Sequence, residues 1–329
     1  MRRIPLTIAI SDYDHMRDFR IGEVRAEGIE PTFLTMDIHE IFARFTFNRE
    51  WEVSELSFAK FIAQATQENA DIVGLPVWTS RQFRFSSFYY NVNSGIREAK
   101  DFAGKRVAVP EWAQTAAVYT RGWLAHAAGV DLTSIDWVQA GTEEPGRTEK
   151  VELSLPEGLS LTRATDKSIS EMLASGEVDA ALVARAPLVF QRGHPDVKRL
   201  FPDYRALEES YYDETGVFPI MHVIALRRDI LEGRPWIARN LMRAFEASKD
   251  RAVRRSLEIS VSRYCVPWLV DHAEQMMKKF GGDFFPYGIE PNRKTLEAFC
   301  QYAHEQGIAH RHVKPEELFP EGIEVSVLV

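Results

Sequence analysis

From Leu6 to about Asp229 the sequence alternates short apolar runs with stretches of helical period, and few folds can absorb such a pattern. "LTIAI", "EVSELS", "DIVGLPVW", "SSFYYNVN", "RVAVP", "SIDWVQA" and "VFPIMHVIALRRDI" read as strands. Between them, "DIHEIFARFTFN" sets Ile38, Ile41, Phe42 and Phe45 at helical spacing, and "SFAKFIAQATQ" reads as a second helix. "AQTAAVYTRGWLAHAAGV" is predicted helical and ended by Gly129, and "SISEMLASGEVDAALVAR" reads as helix, glycine turn and strand. From Arg234 onward the chain is predicted to be mostly helical. Alternation of this kind implies an α/β fold with largely parallel sheets, and a chain of 329 residues is long enough for two such lobes. Ligands of open α/β sheets sit beyond the carboxyl ends of the strands. The loops expected to face one are "SDYD", "ELS", "WTSRQFR", "PEWAQT", "GTEEPGR", "ARAP" and "FPIMH".

A formal charge of −8 argues against a nucleic-acid surface, so an anionic partner needs a local basic pocket. Cys265 and Cys300 stand far apart without metal-type spacing, which fits a reduced, cytoplasmic protein. The basic start of "MRRIPLTIAISDYDHM" suggests a leader, but its apolar run covers only Ile4 to Ile10 and meets "SDYD" with no small-residue cleavage site. The segment is read as a first strand, and no stretch has the length of a membrane span. Glycine-rich phosphate loops, His/Cys metal clusters and a G-x-S-x-G elbow are missing from the sequence. No metal and no cofactor are expected, although ligands scattered over loops, such as Asp12, Glu111 and His222, are an open alternative.

"NSGIREAKDFAGKRVAVPEW" followed by "EMLASGEVDAAL" resembles the type II periplasmic binding proteins. In combination, "SDYDHMR", "VSELSFAKFI", "GLPVWTSRQFR", "GTEEPGR", "RLFPDY", "TGVFPIMH", "FPYGIEPNR" and "PEELF" resemble the 4,5-dihydroxyphthalate decarboxylase family, from the first strand to about residue 320. Phe85, after Arg84, departs from the pattern. The resemblance implies a two-lobed α/β, periplasmic-binding-protein-like fold with two hinge crossovers and a helical C-terminal region. Residues 1–92 and 219–329 would form one lobe and 93–218 the other, with the ligand between them. It also implies decarboxylation of 4,5-dihydroxyphthalate to 3,4-dihydroxybenzoate, and it allows a homo-oligomer. A solute-binding protein for a small organic anion, or an enzyme for another hydroxylated aromatic acid, are the competing readings. The absence of a leader is expected to favour the enzyme.

Such a reaction needs cations for a dianionic substrate and an acid that protonates the ring carbon. Arg81 and Arg84 in "WTSRQFR" are candidates for gripping a carboxylate, unless they are ordinary loop arginines. Thr115 opens a helix whose unpaired N–H groups favour an anion, and it serves equally as a local cap. Glu111 shares that loop with Trp112. Arg185 ends the strand "DAALVAR", and Ser57 would answer it from the other lobe. His222, with an unperturbed pKa of about 6.5, is the candidate proton-transfer group, set where the resemblance puts the second crossover. Asp12 is expected to orient His222 or accept a phenolic proton, and His15 is a rival to His222. Glu143, Glu144 and Arg147 are further residues able to reach the cleft.

Overall fold

The computed structural model describes residues 3–323; residues 1–2 and 324–329, which the sequence reading includes in the first lobe, lie outside the described residues. The apolar alternation resolves into two sheets. The first has the order β2-β1-β3-β11-β4, from β1 (Ile4–Ile10), β2 (Ile29–Thr35), β3 (Val53–Ser57), β4 (Ile72–Arg81) and β11 (Ile220–Arg227). β1 runs parallel to β2 and β3, whereas β11 returns antiparallel between β3 and β4. The second sheet has the order β10-β5-β9-β6-β7-β8, from β5 (Phe88–Asn91), β6 (Arg106–Val109), β7 (Asp136–Gln139), β8 (Ser160–Arg163), β9 (Ala180–Leu182) and β10 (Val197–Arg199).

The first crossing therefore falls between Arg81 and Phe88, earlier than the expected boundary at residues 92 and 93, because β5 already pairs with β9 and β10. The second crossing lies just before Ile220, and Gln82 N–H donates to the Pro219 carbonyl at 3.1 Å, so the two connections run side by side. β2, β8 and β10 went unread in the sequence. β8 and β10 are short edge strands, and β8 carries a mostly exposed polar pattern with no apolar face to announce it.

Helix Ile38–Asn48 forms where expected. The Asp37 side chain caps it by accepting from His39 N–H, and Ile41, Phe42 and Phe45 are its buried stripe. Helix Thr115–His126 packs against helix Arg293–Glu305 at Gly122, where a Cβ would sit 2.3 Å from the Tyr302 ring. Trp112 Nε1 donates to the Gln306 carbonyl at 2.7 Å, and Ser154 N–H donates to the Gly307 carbonyl at 2.8 Å. The C-terminal region thus fastens both lobes rather than completing the first alone. Among the described residues no helix is long and apolar enough to cross a membrane.

Candidate active site

Because β11 is antiparallel to β3 and β4, its first residues lie beside their carboxyl ends, where a ligand is expected. His222 is placed opposite Ser57 of β3 and Ser80 of β4, and the pairing with β4 slips on either side of it. The half-buried imidazole faces an inter-lobe cleft of about 870 Å³. Its Nδ1 lies 2.7 Å from Glu55 Oε1, and the Phe42 ring meets it edge-on at 4.9 Å.

Glu55 precedes Ser57 by two residues on β3, so both side chains leave the same face of the strand. It is fully buried and surrounded by donors. Tyr13 Oη donates to Oε1 at 2.6 Å, Thr79 Oγ1 to the same oxygen at 2.9 Å, and Ser11 N–H to Oε2 at 2.9 Å. Burial alone would raise its pKa, but the hydrogen bonds and charge from His222, with Tyr13 and Ser11, lower it overall. An ionised Glu55 accepts from His222 Nδ1 and so fixes the ring hydrogen there. Nε2, which has no hydrogen-bond partner among the described residues, is then the atom free to work. Tyr13 itself is held protonated, its pKa raised by burial and by the Glu55 charge.

Cations line the same cleft. Arg84 is half-buried, donating from Nε to Met221 Sδ at 3.0 Å and from one terminal nitrogen to the Ala184 carbonyl at 3.2 Å. It forms no ion pair among the described residues, and burial lowers its pKa to about 10. A desolvated charge with no ion-pair partner, supported only by the Glu208 carboxyl at longer range, is costly, so a bound anion would be favoured here. Arg185 also lines the cleft, exposed at the tip beyond β9. Lys60 and Arg147 line it too, and both pair with the fully buried Glu111. Lys150 adds a third cation at 2.5 Å. Against the effect of burial, Lys60, Arg147 and Lys150 hold the Glu111 carboxyl at about 2.

Ser57 Oγ and Thr115 Oγ1 lie 2.9 Å apart, tying the lobes together at the cleft floor. Ser57 precedes helix Phe58–Ala65 and Thr115 begins helix Thr115–His126, so the positive ends of two helix dipoles converge there.

Not every expected residue arrives at this site. Asp12 is exposed and pairs with Arg20 at 2.6 Å, away from His222; the carboxylate that orients the imidazole is Glu55. Arg81 is outside the cleft lining because β4 continues through it. Its guanidinium stacks 4.2 Å over Phe218 and donates to the Phe218 carbonyl at 2.8 Å, bracing the second crossover. Glu111 lies behind the cleft wall and holds its cations in place rather than meeting a ligand. His15 is sheltered against Phe285, its pKa lowered to about 4 by burial, and it does not line the cleft. His222, Arg84, Ser57, Thr115 and Arg185 are brought together, as are Glu143, Glu144 and Arg147. Three residues went unnoticed as site candidates. Glu55 and Lys60 are charged residues inside otherwise buried segments, a signal present in "VSELSFAKFI". His39 sits in the first turn of its helix and gives no sequence sign of facing the cleft. Among the described residues no group of three or more metal-binding side chains is gathered.

No protein-family model matches the chain. Two curated proteins do. The 4,5-dihydroxyphthalate decarboxylase of Comamonas testosteroni is 37% identical over 320 residues, covering 97% of each chain. The 4,5-dihydroxyphthalate decarboxylase of Pseudomonas putida is 36% identical over 213 residues, covering 64% of this chain and 83% of its own. Among solved structures, the periplasmic sulfonate-binding protein SsuA of Methylobacillus flagellatus KT superposes with a TM-score of 0.56 at 14% identity, covering 98% of this chain and 92% of its own. That likeness bears on the fold alone: a two-lobed α/β architecture.

Proposed function

The chain belongs to the 4,5-dihydroxyphthalate decarboxylase family, and from that premise we propose that it converts 4,5-dihydroxyphthalate to 3,4-dihydroxybenzoate and CO2 in the inter-lobe cleft. The observation that carries the assignment of roles is the pair His222–Glu55, placed in the same cleft as the guanidinium of Arg84, which has no ion-pair partner among the described residues. Arg84, with Arg185, is the anchor for a substrate carboxylate. Thr115 and Ser57 present their hydroxyls and the adjoining helix ends to the same anion. Asp12, Arg81 and Glu111 are not part of this proposal as substrate-contacting groups.

The imidazolium of His222 gives its Nε2 proton to the ring carbon that bears the departing carboxylate. Electron density for the new C–H bond comes from the oxygen para to that carbon. The C–C bond then breaks, its electron pair restores the aromatic ring, and CO2 departs. One proton is consumed per turnover, so His222 regains its proton from solvent. A positioned acid of this kind contributes about 10²–10⁴-fold, and the buried Glu55 carboxylate lowers the cost of carrying positive charge on the ring.

The same proposal places the enzyme in the cytoplasm, where the exposed free thiol of Cys265 stays reduced. Self-association is supported by the segment 259–268, which exposes Ile259, Val266 and Trp268. The test of function is direct. Purified protein mixed with 4,5-dihydroxyphthalate should release CO2 and yield 3,4-dihydroxybenzoate, read by ultraviolet spectrum. Tight binding without turnover would overturn the enzyme in favour of a solute receptor.

A further inference from the structure

Protonating the ring carbon is half of the chemistry, because the para oxygen must supply electrons. Nothing in the His222–Glu55 pair can take the proton from that hydroxyl. A second imidazole lines the same cleft. His39 stands in the first turn of helix Ile38–Asn48, one turn before Phe42, whose ring packs against His222. Residues three apart share a helix face, so His39 and Phe42 leave the helix on the same side, and both line the cleft with His222. Asp37, the helix cap, engages His39 only through its backbone N–H. Neither ring nitrogen of His39 has a hydrogen-bond partner among the described residues.

On the reading above, we propose that His39 is the base that accepts the proton of the ring hydroxyl para to the departing carboxylate. The proton moves from the hydroxyl oxygen to an imidazole nitrogen, leaving a phenolate. The phenolate feeds electrons to the carbon that His222 protonates, and after CO2 leaves, His39 returns its proton to the oxygen. The surroundings suit a neutral imidazole at rest. Although the ring is open to the cleft, nearby protein disfavours its charged form, and Arg147 and Arg185 across the cleft add to the lowering against Asp37 and Glu111. Arg147, also lining the cleft and not assigned to the carboxylate, would stabilise the phenolate as it forms.

The binding arm of the test uses the product, which is not consumed. 3,4-Dihydroxybenzoate retains the hydroxyl in question at its 3-position, and 4-hydroxybenzoate lacks only that group. His39→Ala should weaken 3,4-dihydroxybenzoate about tenfold, the loss of one hydrogen bond, and change 4-hydroxybenzoate less than about twofold. His39→Gln keeps an acceptor but not a base. It should preserve affinity for 3,4-dihydroxybenzoate while lowering kcat on 4,5-dihydroxyphthalate by about 10²-fold. Equal losses for both ligands in His39→Ala, or an unchanged kcat in His39→Gln, would overturn the assignment. Wild-type turnover with either result leaves the decarboxylase reading standing, whereas absence of wild-type turnover counts against that reading while the ligand comparison still tests the contact.

Discussion

His222 Nδ1 and Glu55 Oε1 lie 2.7 Å apart across neighbouring antiparallel strands, and the carboxylate is fully buried while the imidazole reaches the cleft. The strand register creates this pairing: His222 is opposite Ser57, and Glu55 is the next residue on the same face of β3. Glu55→Gln keeps the shape but removes the charge that supports an imidazolium. We expect kcat to fall by about 10²-fold or more, with affinity for 3,4-dihydroxybenzoate within a few fold, read by steady-state kinetics and calorimetry. Full activity in this variant would separate Glu55 from proton transfer.

Arg84 and Arg81 are three residues apart yet predict opposite outcomes. Arg84→Ala should weaken ligand affinity roughly 10–100-fold, the worth of a charge-assisted hydrogen bond. Arg84→Lys should recover only part of it, since an ammonium cannot form the parallel two-point grip. Arg81→Lys should lower thermal stability and leave the affinity nearly unchanged, because that guanidinium stacks on Phe218 and bonds backbone carbonyls. Equal losses of affinity at both positions would contradict the placement of Arg81 behind the cleft.

Glu111 predicts a pH dependence of stability. Its folded-state carboxyl titrates at about 2, below the ordinary glutamate value near 4.5. A depressed carboxylate contributes stability that is present above the unfolded value and is lost as pH falls through the folded one. Glu111→Gln should therefore be less stable than wild type at neutral pH, and the gap should narrow between pH 5 and pH 2 in urea titrations. A gap that stays constant over that range would show that Glu111 is not held by Lys60, Arg147 and Lys150.

Gly122 is a packing prediction. Its helix approaches Tyr302 so closely that an added Cβ would overlap the ring, with the nearest ring atom 2.3 Å away. Gly122→Ala should destabilise the fold by about 1–3 kcal/mol, read as a lowered melting temperature. A gain in stability, as expected for alanine in an unobstructed helix, would contradict the contact that joins the second lobe to the C-terminal region.

The fold was legible where its physics is local. Alternating apolar runs in "LTIAI" and "EVSELS" and the helical stripe of Ile41, Phe42 and Phe45 are visible in sequence, as is the glycine that ends helix Ile169–Ser175. β8 was not, because an exposed edge strand carries no apolar period. His222 and Arg84 were found through a family resemblance that put their loops beside a cleft. Asp12 stands out in sequence as a partner for His222 because a carboxylate after a strand looks available, whereas Glu55, inside a strand, gives no such sign. Register places Glu55 beside the imidazole, and an ion pair holds Asp12 to Arg20. Arg81 was misplaced for a related reason: β4 runs further than its apolar residues announce. His39 depends on how a helix faces a distant lobe, which no local pattern records.

The decisive measurement is the turnover of 4,5-dihydroxyphthalate by His222→Asn beside wild type, with 3,4-dihydroxybenzoate affinity determined on both proteins. Asparagine can keep a hydrogen bond near Glu55 but has no proton to give at neutral pH. If imidazole protonates the ring carbon, kcat falls by at least about 10²-fold while the affinity stays within a few fold. A variant that releases CO2 at the wild-type rate would mean that His222 is not the acid.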